Sequence, residues 1–186
     1  MPVQEIFQVG EDHMRKSVEH FHMELQKIRT GRATPALVEE LKVEYYGTQV
    51  PLQQIATITA PDPHTLLIQP WDKTSLGAIE KAILESELGL NPANDGTVIR
   101  VPIPPLTEER RHEIVRLCRK LAEEARIAVR NIRRHMLDQL RKLEKEEHMS
   151  EDERRRAEQQ VQKLTDRYIE KINEYLEKKE AEVMEV

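Results

Sequence analysis

Met14-Arg-Lys-Ser-Val-Glu-His-Phe-His-Met-Glu-Leu-Gln-Lys-Ile28 places apolar residues at Met14, Val18, Phe21, Leu25 and Ile28. The intervals are four, three, four and three, which keeps one stripe of a helix apolar. Phe7 continues the stripe upstream. The helix is expected to stop near Thr30-Gly31, where glycine suits a C-cap and Pro35 lies just beyond. Two later stretches have the same character. Thr107 reads as an N-cap with Glu108 and Glu109 in the first turn, where the helix dipole favours acids. Helix is predicted from there toward Glu147, a length on the order of 60 Å. Ser150-Glu-Asp-Glu153 reads as a capping box and opens a last helix. Its seam is Ala157, Val161, Leu164, Tyr168, Ile172 and Leu176. Three seams of similar period must each be buried, and packing on one another makes a three-helix bundle.

Between the first and second helices the pattern changes. Leu41-Lys-Val-Glu-Tyr-Tyr46 alternates and reads as a strand, with Gly47-Thr-Gln as a turn. Gln54–Thr59 and Thr65–Gln69 read as further strands. Ser75–Leu88 reads as a short helix with Ile79, Ala82 and Ile83 on one side and Gly89 as its stop. Asn91–Gly96 is rich in turn formers, and Thr97–Val101 reads as a last strand. Pro102-Ile-Pro-Pro105 is a stiff connector. The expected fold is therefore α+β. It is an elongated three-helix bundle (residues 1–30 and 106–186) carrying an inserted β/α/β domain (31–105). The chain crosses twice between them, so Thr30, Gly31, Arg32, Pro102, Pro104 and Pro105 are the expected hinge residues.

The chain has 186 residues and a net charge of −5, with charged residues at 34% and aromatics at 4%. That mix suits long amphipathic helices better than a β-sandwich. Overall acidity excludes a general polyanion binder, but the charge is uneven. Residues 110–142 hold 11 lysines and arginines against 4 acids, whereas residues 31–104 hold 5 against 9. A basic surface and an acidic module in one chain point to two different partners. The single cysteine, Cys118, excludes an internal disulfide and fits a reducing compartment as a small buried hydrophobe. No apolar run approaches membrane length and the N-terminus has no signal-peptide pattern, so the expected location is cytoplasmic, away from membranes.

Ala125-Arg-Ile-Ala-Val-Arg-Asn-Ile-Arg-Arg134 carries the functional signal. At about 100° per residue, Arg126, Arg130, Arg133 and Arg134 share one side of the helix, and Arg116, Arg119 and Arg141 extend the stripe. Ile114, Leu117, Leu121, Ala125, Ala128, Ile132 and Met136 are expected on the opposite, buried side. Guanidinium forks pair with phosphate oxygens bidentately. A charge run on a helix is usually a solvated face with its own i,i+4 partners, and Glu123 is placed to pair Arg119 or Arg126. Arg126–Arg134 itself contains no acid, which favours nucleic-acid binding over a solvated face. The helix lacks aromatic stacking residues, so contacts to the phosphate backbone are expected rather than base reading.

No phosphate loop, dinucleotide fingerprint, HExxH or CxxC is present. Nothing sets two carboxylates, or a base and a nucleophile, at a defined distance. No catalytic residue, metal site or cofactor is expected. His13 and His20 share a helical side, but no acidic or cysteine ligand completes a metal set. Trp71, after Pro70 at a strand end, is expected as an anchor of the module core.

Several words of the sequence resemble the ribosome recycling factor family. These are Ile28-Arg-Thr-Gly-Arg-Ala-Thr-Pro35, Val43-Glu-Tyr-Tyr-Gly47, Glu80-Lys-Ala-Ile83, Leu88-Gly-Leu-Asn-Pro92, Pro105-Leu-Thr-Glu-Glu-Arg-Arg111, Val129-Arg-Asn-Ile-Arg-Arg134 and Gln162-Lys-Leu-Thr-Asp166. They run in order over essentially the whole chain. The resemblance implies a three-helix bundle with a hinged β/α/β domain and a transfer-RNA-like outline. It implies binding to the 70S ribosome after peptide release, chiefly to large-subunit ribosomal RNA, and splitting of that ribosome with elongation factor G and GTP. It implies no catalysis by the family itself. The family's arginine-asparagine-x-arginine-arginine motif matches Arg130, Arg133 and Arg134, and Arg111 matches a further basic position. With Arg119 and Arg126 from the stripe, these are the expected RNA-binding residues. Glu87 stands where the family often has aspartate, and His135 follows the motif where a small or acidic residue is expected.

A different class of protein, a coiled-coil adaptor without RNA binding, would use the same seams to dimerise. Three seams in one chain satisfy each other, so a monomer is expected.

Overall fold

The computed structural model describes residues 2–146 and 148–185. In chain order the elements are α1 (Val3–Gln26), β1 (Lys42–Tyr45), β2 (Thr48–Pro51), β3 (Ala56–Asp62), β4 (Thr65–Pro70), α2 (Leu76–Glu85), β5 (Ala93–Asn94), β6 (Ile99–Pro102), α3 (Glu108–Lys145) and α4 (Glu151–Met184). Single 3₁₀ turns stand at Pro35–Leu37, Leu52–Gln54 and Lys73–Ser75. The class is α+β. The chain divides into two compact units, residues 1–29 with 108–186, and residues 30–107.

In the first unit α1, α3 and α4 each pack on the other two. The α1 seam is Ile6, Gly10, Met14, Val18, Phe21 and Leu25, while Phe7 and Ile28 are only half-buried. The helix ends at Gln26, short of the expected Thr30-Gly31. Its last carbonyls are taken by i→i+3 bonds: Lys27 N–H donates to Glu24 O at 3.3 Å, and Ile28 N–H to Leu25 O at 3.1 Å. The start of α4 is capped as expected, with Ser150 Oγ accepting from Glu153 N–H at 3.1 Å. Its buried residues include Ala157, Val161, Leu164, Tyr168 and Ile172, and Leu176 is half-buried. Glu11 ties α1 to α4, accepting from Arg167 at 2.8 Å and from the Tyr168 hydroxyl at 3.0 Å. Thr165, fully buried, satisfies its hydroxyl by donating to Val161 O at 2.8 Å. Glu147, toward which the sequence predicts α3 to run, lies outside the described residues.

The core face of α3 differs from the expected one. Val115, Cys118, Ala122, Val129, Leu140 and Leu143 are buried with Ile114, Ala125 and Met136. Leu117 is 44% exposed, and Leu121, Ala128 and Ile132 are half-buried. The buried face is thus rotated by roughly 60° toward the arginines, at about 100° per residue. Two neighbouring helices share this face, and small residues (Cys118, Ala122, Ala125) let backbones approach where larger ones would hold them apart.

In the second unit β3, β4, β6 and β5 form an antiparallel sheet in that spatial order, and β1 and β2 form a separate hairpin. One core joins Val43, Leu52, Leu66, Ile68, Ile79, Ile83, Ile99 and Val101. In β6 the alternation is plain: Ile99 and Val101 point in, Arg100 and Pro102 out. The hairpin turn is Tyr46-Gly47, both residues at positive φ (48° and 82°), as a two-residue type I′ connection requires. Thr48 and Gln49 therefore begin β2, where the Gly47-Thr-Gln pattern predicts a turn. α2 stops at Glu85, not Gly89, because Ser86 turns away; both its N–H and its hydroxyl donate to Ile83 O. The Asn91–Gly96 loop includes the two residues of β5, followed by a turn in which Asp95 accepts from Thr97 and Val98 N–H.

Two placements correct the sequence reading here. Trp71 is not a core anchor: it is 67% exposed, its indole N–H donating to Thr57 Oγ1 at 2.9 Å. Leu66 and Ile68 take the inward positions of β4, so the alternation along the strand turns Trp71 outward. Pro102 is the last residue of β6, paired with Thr65, and Ile103 is buried in the core. The proline-rich connector thus begins at Pro104.

Candidate nucleic-acid interface

The arginine stripe lies on the outer surface of α3, beside the seam that packs on α4. Its inner edge is tied to α4. Arg119 Nε donates to Glu180 at 2.7 Å, Arg126 Nε to Asn173 Oδ1 at 2.9 Å, Arg133 Nη1 to Gln162 Oε1 at 3.5 Å, and Arg141 Nε to Glu158 at 3.4 Å. The partners retreat along α4 as the arginines advance along α3, as antiparallel helices require. Sequence reasoning missed these α4 residues, because no local spacing connects residues 17 to 61 positions apart.

Glu123 stands one turn before Arg126 and pairs with both Arg126 (3.0 Å) and Arg130 (3.3 Å). Of the two partners considered from sequence, it takes Arg126; Arg119 goes to Glu180. The Glu123 carboxyl is held below its usual pKa, first by the Arg126 hydrogen bond. The stretch from Arg126 to Arg134 is therefore partly compensated, with four arginines facing one carboxylate. The Arg133 partner is a neutral amide at the limit of hydrogen-bond length.

Arg116 and Arg134, at the outer edge of the stripe, are exposed and make no hydrogen bond or ion pair among the described residues. Arg126 is more enclosed than Arg130, its side chain 19% exposed against 42%. The inner arginines are thus held in place by α4 while the outer ones are unoccupied. Exposed ion pairs are worth at most about 1 kcal/mol, so exchanging Glu123 for a phosphate costs little. Arg111 lies apart from the stripe. It is half-buried, and its Nε finds no partner among the described residues.

Elsewhere the chemistry is sparse. No group of three or more His, Cys, Asp or Glu among the described residues is arranged to hold a metal. His20 pairs with Glu24, and His22 stacks on Tyr175 with centroids 4.1 Å apart. His13 and His135 line a cavity of about 240 Å³ with Val9, Gly10, Asn131 and Ile132. The Cys118 thiol is fully buried, which pushes its pKa up and makes it a poor nucleophile. No helix among the described residues is long and apolar enough to cross a membrane.

A helical bundle interrupted by an α+β unit, with an arginine face along α3, fits the class of translation factors. The comparisons with known proteins agree. The family model described as ribosome recycling factor matches residues 21–184. The ribosome-recycling factor of Carboxydothermus hydrogenoformans is 55% identical over 184 residues, 99% of this chain and 100% of its own. That of Thermus thermophilus is 56% identical with the same coverage. A solution structure of ribosome recycling factor matches with a TM-score of 0.80 and 51% identity, covering 100% of this chain and 99% of the other. The chain belongs to the ribosome recycling factor family.

Proposed function

We propose that this protein binds the ribosome after termination and, with elongation factor G and GTP, splits it into subunits for new rounds of translation. The family assignment supports this reading over the coiled-coil adaptor. A similar structure, 56% identical with a TM-score of 0.67, contains the T. thermophilus ribosome recycling factor and E. coli elongation factor G bound to the E. coli post-termination complex.

The observation that carries the mode of binding is the uneven pairing of the stripe. Arg119, Arg126, Arg130 and Arg133 are oriented by neighbours, and Arg134 is free to take a phosphate. The target is large-subunit ribosomal RNA, gripped by its backbone. Arg111 adds a contact off the stripe. The protein acts as a cytoplasmic monomer and turns over no nucleotide itself. Thr30, Gly31, Arg32, Pro104 and Pro105 lie in or beside the two chain crossings and serve as the hinge, with Pro102 anchoring the second crossing to β6.

The test is light scattering of purified post-termination 70S ribosomes. Splitting should require this chain, elongation factor G and GTP together. The chain alone with GTP and magnesium should release no phosphate above blank. Splitting that proceeds equally without the chain would refute the reading.

A further inference from the structure

The second unit holds two large aromatic side chains in water, and both are fixed. Tyr46 is 79% exposed and Trp71 67% exposed. The Tyr46 hydroxyl donates to Asp72 Oδ2 at 2.7 Å, and the Trp71 indole donates to Thr57 Oγ1 at 2.9 Å. The Trp71 backbone N–H is also bound, to Ile55 O at 3.1 Å. Tyr46 packs edge-on against Tyr45, with centroids 4.5 Å apart. Asp72 is anchored in turn, Oδ1 accepting from Thr74 N–H at 3.0 Å and Thr74 Oγ1 at 2.7 Å.

Folding alone gives little reason for this arrangement. Exposed rings gain little from the core. Tyr46 is the one non-glycine residue at positive φ among the described residues, at a turn position that asparagine or glycine fills with less strain. Rigid, exposed aromatics are the usual anchors of protein interfaces, because little side-chain entropy is lost on docking.

We propose that Tyr46, Asp72 and Trp71 form a preorganised docking ridge for a basic protein surface on the ribosome. Lysine or arginine side chains of the partner stack on the exposed rings and pair with the Asp72 carboxylate. Oδ2 of Asp72 accepts one hydrogen bond within the chain and retains a lone pair for a donor from outside. Charge favours protein over RNA as the occupant. Residues 30–107 carry 9 acids against 5 lysines and arginines, the reverse of the arginine helix. The β1–β2 hairpin, with Tyr46 at its tip, also lines a groove where Glu40, Glu44 and Glu85 outnumber Lys42 and Lys81. The chain thus meets the ribosome with two surfaces of opposite character.

This inference rests on the ribosome-binding reading, and photocrosslinking separates the two. The full-length chain carrying p-benzoylphenylalanine in place of Trp71, and a second variant carrying it in place of Tyr46, are bound to purified 70S ribosomes and irradiated. The expected adduct is destroyed by protease and survives ribonuclease, and its partner peptide is rich in lysine and arginine. An adduct to RNA, an adduct to an acidic peptide, or no adduct from either position on cosedimenting ribosomes would overturn the ridge. Failure of the unsubstituted chain to cosediment would instead overturn the ribosome-binding reading. In parallel, Trp71→Ala and Tyr46→Ala should each weaken 70S binding by about tenfold, as loss of an interface anchor does. Unchanged affinity in both would count against the ridge.

Discussion

Gly31 lies against Leu106, one residue on each of the two segments that join the units. A Cβ at position 31 would stand 2.9 Å from Leu106 Cγ and 3.3 Å from its backbone nitrogen, and the φ of 79° already excludes most side chains. Close by, Ala33 N–H donates to Pro63 O and Ile103 N–H to His64 O, each at 2.7 Å. Both joining segments are therefore moored to one turn, between β3 and β4. Gly31 is needed for this close approach rather than for capping α1.

Gly31→Ala is expected to destabilise the second unit by about 2 kcal/mol. Left-handed backbone costs alanine roughly 1–2 kcal/mol, and the overlap with Leu106 adds to it. Hydrogen exchange at the Ala33 and Ile103 amides should speed up, with the bundle helices unchanged. Protection equal to wild type at both amides would show that Gly31 holds nothing together.

A second glycine tests packing in the first unit. A methyl at Gly10 would overlap the fully buried Met136, whose Cγ would lie 2.8 Å away. Alanine gains about 1 kcal/mol in helix propensity, but overpacking costs about 1–3 kcal/mol. Gly10→Ala should therefore lower the melting temperature. In the Met136→Ala background, where a cavity already costs about 2–5 kcal/mol, the same change should be stabilising. Additive effects in this cycle would contradict the close approach of α1 and α3.

The Tyr46–Asp72 hydrogen bond should be visible in a pH titration. It is the first cause holding the Asp72 carboxyl below its ordinary pKa, with the Thr74 bonds next. A depressed pKa means stabilisation that is present above the unfolded-state value and lost as pH falls through the folded value. Trp71 is the only tryptophan and adjoins Asp72, so its fluorescence is the reporter. The wild-type acid transition should fall below the ordinary aspartate range of about 3.9, shift upward in Tyr46→Phe and vanish in Asp72→Asn. A transition unmoved by Tyr46→Phe would mean the bond does not form in solution.

The limits of the sequence reading follow from the range of its signals. Helical seams repeat every three or four residues, so the helices of the bundle were legible from Met14, Val18, Phe21 and Leu25 onward. The exact face of α3 was not, because Cys118 and Ala122 weigh little beside Leu117 in any apolar pattern yet fit the close-packed side. β2 was lost because Tyr46 occupies a turn position usually marked by asparagine or glycine. Trp71 was misplaced because bulk argues for burial, while its exposure is set by the side of β4 from which the chain departs. At the candidate interface the arginines were visible as a stripe. Their orientation depends on Glu180, Asn173, Gln162 and Glu158 of α4, which only the packed bundle brings near.

The central claim is that the arginine stripe of α3 holds ribosomal RNA. Its most direct test is cosedimentation of the chain with purified large ribosomal subunits over a salt series, comparing wild type with Arg134→Ala and Arg133→Glu. Arg134 has no partner among the described residues, so its loss should leave melting unchanged, and the Arg133 contact is weak enough that folding should survive there too. The account predicts weaker binding in both variants, more so for the charge reversal. Arg134→Ala should also flatten the dependence of log affinity on log salt by about 0.7–0.9, the share of one phosphate contact. Wild-type affinity and wild-type salt slope in both folded variants would contradict it.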